Sequence, residues 1–417
     1  MTTVGIPDRV DVDLAGFDPT NPDLLAVRMP HDELLALRRT APVTWIEQPD
    51  PGSRAGFNDT GFWALSKHAD VAAVSKDQAN YSTYENGVII RFAPEMTREE
   101  LEQTRFLLIN HDSPEHTKLR RIISRAFTPR GVSSMHDWLK DCAEKIVGGA
   151  LEKESGNFVE DIAAELPLQA IAQLLGVPQE DRGKLFEWSN QMMSYDDPEV
   201  AGDQQVAFME ILGYSMALAD ERRRNPQDDI ITKLVTADID GEHLTDDEFG
   251  FFVVLLAVAG NETTRNAITH GMKAFLDNPD QWELYKSERP ATAVDEIVRW
   301  ATPVTVFQRT AINDVEIGGQ QVRAGQRVGL LYASANYDDD VFEDPFTFDV
   351  TRDPNPHVGF GGHGAHYCIG ANLARLEIKL VFDALADRDP RLRLLGEPAK
   401  LRSGWINGVK DLPVAYR

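Results

Sequence analysis

The residues Phe360-Gly361-Gly362-His363-Gly364-Ala365-His366-Tyr367-Cys368-Ile369-Gly370-Ala371-Asn372-Leu373-Ala374-Arg375-Leu376-Glu377 carry a glycine-rich loop into a lone cysteine and on into a helix. Glycines, opening here at Phe360-Gly361, let a backbone fold tightly beneath a flat cofactor and turn N–H groups toward a sulfur. A helix N-terminus adds positive potential, which favours thiolate over thiol. Thiolate is the form that haem iron binds, and its electron donation favours O–O cleavage. Gly370 allows a porphyrin face to come close. Two other chemistries share these residues. Gly359-x-Gly361-x-x-Gly364 has the spacing of a dinucleotide fingerprint, but it falls near the C-terminus and outside any strand–helix–strand unit. His363, His366 and Cys368 are zinc-ligand types without a fourth ligand at a recognised spacing. The other cysteine, Cys142, lies in an amphipathic stretch and reads as a small buried hydrophobe.

Three further segments could serve the same chemistry. Ala259-Gly260-Asn261-Glu262-Thr263-Thr264 sets an acid and alcohols inside an otherwise apolar helix. A Thr hydroxyl there can turn from the i−4 carbonyl and open the helix, and Gly260 would leave room for a diatomic ligand. Over a haem, Glu262 and Thr263 form a proton relay. Glu296-Ile297-Val298-Arg299 places Glu296 and Arg299 one turn apart, so they can pair; buried, the pair would lock its helix to the loop beneath the cysteine. His116 and Arg120 are i,i+4 on one helix face and suit a carboxylate such as a haem propionate. Arg309 and His366 are further propionate candidates.

These groups need a helical scaffold. Periodicity predicts helices over Glu115–Phe127, Val132–Glu152, Glu160–Leu175, Arg182–Ser194, Asp203–Arg224, Asp228–Thr236, Pro279–Ser287 and Ala291–Arg299. A long one runs over Asp246–Asp277, behind a capping box at Thr245 and Glu248. Strands are expected at Val43–Glu47, Gly61–Ser66, Thr305–Thr310, Val315–Ile317, Gln321–Val322 and Arg327–Tyr332, with Gly318-Gly319 as a hairpin turn. Asp238-Ile239-Asp240-Gly241 reads as a turn without EF-hand spacing. The class is mainly α with a small β region, in one domain over residues 1–417.

Composition sets the surroundings. A hydrophobic share of 42% supports a sizeable core, and a net charge of −25 argues against nucleic acid and anionic membranes as partners. The longest apolar run, Phe249 to Ala259, is too short to span a bilayer. Met1–Asp8 has no basic or apolar leader region, and two cysteines fit a reducing compartment, so a cytoplasmic chain without stable membrane insertion is expected.

Together and in this order, the four segments resemble the bacterial soluble cytochrome P450 family from about Pro30 onward. The resemblance implies a triangular, helix-rich prism, haem b with Cys368 as axial iron ligand, and haem contacts from His116, Arg120, Ala259, Gly260, Arg309, Phe360, Gly361, His366 and Gly370. It also implies monooxygenation of a hydrophobic substrate by O2, with electrons from a ferredoxin and ferredoxin reductase. One departure narrows it. Most soluble members place Phe seven residues before the cysteine, where this chain has Gly361. Phe-Gly-Gly-His-Gly-Ala-His-Tyr-Cys is similar to a subgroup of actinobacterial enzymes that oxidise the terminal methyl (C26/C27) of the cholesterol side chain. So are Val258–Asn266, Asp295–Val304 and Leu401–Gly408. A long apolar channel would then be walled by Val88, Ile89, Ile90, Phe92, Met192, Val258, Val304, Phe307 and Trp405. The alternatives are a P450 acting on a fatty acid or terpenoid, and a non-catalytic haem protein.

Overall fold

The computed structural model describes residues 12–48, 55–124, 127–200, 202–227, 229–236 and 244–417. The expected turn at Asp238–Gly241, residues Met1–Asp8, Arg125 and Ala126 near the end of one expected helix, and Asp228 at the start of another lie outside them.

Helices make most of the body, as the periodicity predicts. The central one, Asp246–Asp277, has 32 residues and so spans roughly 48 Å at 1.5 Å per residue. Its capping box forms: Thr245 N–H donates to Glu248 Oε2 at 2.8 Å and Glu248 N–H to Thr245 Oγ1 at 3.2 Å. Around it pack Glu165–Leu175, Arg182–Met193, Gln204–Arg224, Ala293–Ala301 and Ala371–Arg388. Phe275 and Phe382 meet ring to ring in that core at 5.2 Å.

Two expected helices are interrupted. Val132–Glu152 divides into Pro129–Ser134 and His136–Ala150 about Met135. Glu160–Leu175 begins as a wider turn over Val159–Ala163, where Ala164 N–H reaches back to Val159 C=O at 2.8 Å. Pro167 accounts for the widening. It offers no N–H to the Ala163 carbonyl and its ring crowds that position, so regular α geometry starts only at Glu165.

The main sheet runs Val43–Glu47, Gly61–Leu65, Arg327–Leu331, Val306–Ala311, Tyr81–Ser82 in spatial order. Only the pairing of Gly61–Leu65 with Arg327–Leu331 is parallel. The hairpin Val315–Ile317 to Gln320–Val322 turns through Gly318 and Gly319, with φ of 54° and 78°. Sheet and helices meet over a deep cavity.

Candidate active site

Cys368 opens onto that cavity, which encloses roughly 1570 Å³ between protein atoms, mouth included. The residue is exposed and lines the cavity wall. The loop is held from within: Cys368 N–H donates to Phe360 C=O at 2.9 Å and Gly361 N–H to Val358 C=O at 2.8 Å. Gly361 sits at φ 87°, in the region that favours glycine. Gly364 is required for another reason: a Cβ there would lie 1.7 Å from the Ser75 carbonyl oxygen, because the loop lies on the end of helix His68–Lys76. Burial pushes the Cys368 thiol up, while the N–H groups of Gly370 and Ala371, with Arg120 and Arg375, pull it down. The expected N–H groups at the sulfur are therefore present, at the start of helix Ala371–Arg388.

The Glu296–Arg299 pair is fully buried and bidentate, with both N–O distances 2.8 Å. Arg299 also donates to the carbonyls of Asn336 and Pro345, both at 2.9 Å, and Glu296 accepts from Asn355 at 3.0 Å and Arg352 at 3.2 Å. The pair thus pins residues 336–355. Asn336 continues the linkage to the cysteine loop by accepting from Val358 N–H at 2.8 Å.

His116, Arg120, Arg309 and His366 all line the cavity. The rings of His116 and His366 lie 4.2 Å apart. Burial, reinforced by neighbouring cations, pushes His116 down to about 4 and His366 down to about 2. Asp112 acts on both His116 and Arg309, but its oxygens already accept from Ser82 and from Thr83 N–H and Oγ1. A basic quartet without an acid of its own fits a cofactor edge that carries carboxylates, as haem does. The zinc alternative finds no support: among the described residues no three His, Cys, Asp or Glu side chains gather to hold a metal.

The central helix forms the opposite wall through Phe252, Leu256, Ala259, Gly260, Thr263, Thr264 and Ala267. Their spacing of three and four is a helical stripe that the sequence displays, although Phe252, Leu256 and Ala267 escaped notice there. Two details differ from expectation. Thr263 Oγ1 donates to the Ala259 carbonyl at 2.8 Å rather than turning from it, and the helix is continuous there. Gly260 lines the cavity, and its missing side chain also serves close helix packing, since a Cβ there would lie 2.3 Å from Ile171 Cδ1. Glu262 does not line the cavity. It is 2% exposed, ion-paired with Arg265, and accepts from Asn266 Nδ2 at 2.8 Å.

Of the expected channel residues, Val88, Val304 and Phe307 line the cavity. Ile89, Ile90, Phe92, Met192, Val258 and Trp405 do not. Ile90 lies under the sheet beside Gly329, Phe92 packs on Phe57, and Trp405 donates from Nε1 to Tyr195 Oη at 2.8 Å. Met192 packs toward Ile211 and Val254. Val258 is next to Ala259 in sequence but about 100° away around the helix, and Ile89 packs between two smaller clusters.

The family model for cytochrome P450 matches residues 291–386. Steroid C26-monooxygenase of Rhodococcus jostii (strain RHA1) is 60% identical over 96% of this chain and 85% of its own. Methyl-branched lipid omega-hydroxylase of Mycobacterium tuberculosis (strain ATCC 25618 / H37Rv) is 43% identical over 91% and 89%. Among solved structures, Mycobacterium marinum cytochrome P450 CYP268A2 in complex with pseudoionone superposes with a TM-score of 0.89 at 36% identity, covering 100% of both chains.

Proposed function

The chain belongs to the cytochrome P450 family, and on that premise we propose that it hydroxylates the terminal methyl (C26/C27) of a sterol side chain, with Cys368 as the thiolate that would hold its haem iron. The observation that carries the substrate class is the 60% identity to a steroid C26-monooxygenase over nearly the whole chain. The cavity supports it: Val88, Leu108, Phe252, Leu255, Val304 and Phe307 give an apolar wall that suits a hydrocarbon side chain and offers it no charge.

When bound, the haem supplies oxygen activation, so that R–H, O2, two electrons and two protons give R–OH and water. The chain's own residues set the conditions. Cys368 would hold the iron, and the N–H groups of Gly370 and Ala371 would share the sulfur's charge. His116, Arg120, Arg309 and His366 would take the propionates. On the other side Thr263 keeps a hydroxyl at the cavity wall, while the Glu262 carboxylate is held one residue away by Arg265. Protons then reach the cavity past Thr263, and Glu262 contributes only on releasing Arg265. The electrons come from a ferredoxin and its reductase, and the reading puts the chain in the cytoplasm beside those carriers. Among the described residues no helix is long and apolar enough to cross a membrane.

Titrating cholest-4-en-3-one into the ferric holoenzyme tests the substrate class. A saturable low-spin to high-spin change is expected. No change with the sterol, together with a full change on a methyl-branched fatty acid, would move the assignment to the second relative's class. Thr263→Ala tests proton delivery. Coupling of NADH consumption to product should fall by about tenfold or more, at the low end of general acid–base effects or below it, and Thr263→Ser should restore most of it. Unchanged coupling in Thr263→Ala would remove the residue from proton delivery.

A further inference from the structure

A second cavity lies behind the central helix, between the buried ends of Ala293–Ala301 and the strand pair Ala399–Lys400 and Val409–Asp411. It encloses roughly 930 Å³ between protein atoms, mouth included. Its walls combine apolar and aromatic groups (Trp300, Tyr337 and Leu412) with four basic side chains, His31, His270, Lys273 and Lys400. The His31 ring lies 4.5 Å from Tyr337.

Lys400 is the unusual member. The other lysine at the wall, Lys273, is paired with Asp277. Lys400 is half-buried and has no ion pair among the described residues, and burial alone holds its ammonium below the usual lysine range. Its charge acts on both imidazoles, which burial pushes down to about 4, so both are neutral near pH 7. One acid, Glu397, stands at the wall and is exposed. A partly desolvated cation facing an aromatic cavity is costly unless an anion meets it. The net charge of −25 sharpens the contrast, because this cavity holds a cation without an ion pair in an otherwise acidic molecule.

We propose that this cavity is a binding site for a small organic carboxylate with an apolar or aromatic body, its carboxylate on Lys400 and its body against Tyr337 and Trp300. The site is linked to the haem cavity through backbone. His270 Nε2 meets Asn407 C=O at 2.9 Å; Asn407 Nδ2 donates to Ala301 C=O at 2.7 Å, and Asn407 N–H to Pro303 C=O at 2.9 Å. Pro303 and Val304 line the haem cavity.

Benzoate is the probe, titrated by calorimetry into the haem-loaded protein, with benzyl alcohol as its uncharged counterpart and inorganic phosphate as an anion without a ring. Benzoate should bind one site without displacing the ferric Soret band, and the other two should bind at least about tenfold more weakly. Lys400→Met keeps the side-chain length and removes the charge. It should weaken benzoate at least about tenfold, in line with the loss of a charged hydrogen bond, and leave the carbon-monoxide spectrum unchanged. Equal binding by wild type and Lys400→Met, benzyl alcohol binding as tightly as benzoate, or no benzoate binding would each overturn the assignment. Phosphate binding as tightly as benzoate would overturn the aromatic component and leave a plain anion site.

Discussion

Cys368→Ser is expected to abolish hydroxylation and to remove the strongly red-shifted absorbance of the reduced, carbon-monoxide-bound protein. The sulfur's electron donation is what serine lacks, and the chain has no substitute. Cys142 packs on the helical core and is absent from the cavity wall. The proposed propionate partners His116, Arg120, Arg309 and His366 are unaltered by the exchange, so haem content should remain measurable by pyridine haemochrome. That separates loss of ligation from loss of cofactor. A variant that kept the red-shifted band would show that Cys368 is not the ligand.

Arg299→Ala is expected to cost stability rather than chemistry. The guanidinium is fully buried and donates to Glu296 and to the carbonyls of Asn336, Pro345 and Thr347. Its removal leaves a buried carboxylate with only Arg352 as a cation and takes the donor from the Asn336 and Pro345 carbonyls, while Thr347 C=O keeps Arg352 at 2.9 Å. Breaking one partner of such a pair costs about 3–5 kcal/mol. Denaturant unfolding of the holoenzyme should show that loss, with lowered haem retention because Asn336 also holds Val358 at the base of the cysteine loop. Arg299→Lys should recover only part, since an ammonium cannot make the bidentate contact. A loss below about 1 kcal/mol would contradict the anchoring role, because it would fall within the range of exposed pairs.

The cysteine loop, the capped central helix and the Glu296–Arg299 pair were legible in the sequence because each is local. A glycine run, a capping box and an i,i+3 pair show their geometry in a few residues. The channel wall was less so. Val88 lies in a stretch without regular structure, where Val88 meets the cavity and Ile90 turns beneath the sheet. No period separates them. Met192, Val258 and Trp405 have the right residue types but sit one packing layer outside, which depends on helix rotation and on tertiary partners such as Tyr195. The short helices Pro22–Val27 and Arg98–Gln103 also went unexpected, being too short for a periodic signal. The orientation of Glu262 away from the cavity follows from Arg265 and Asn266, three and four residues on, a pairing that the sequence contains and the proton-relay expectation passed over.

The most direct test is product analysis. The holoenzyme would be incubated with cholest-4-en-3-one, a ferredoxin, its reductase and NADH under ¹⁸O2, and the product resolved by mass spectrometry and NMR. One ¹⁸O atom is expected on the terminal methyl of the side chain. Oxygen on the ring system, oxygen drawn from water, or unchanged sterol from a protein with a normal carbon-monoxide spectrum would contradict it.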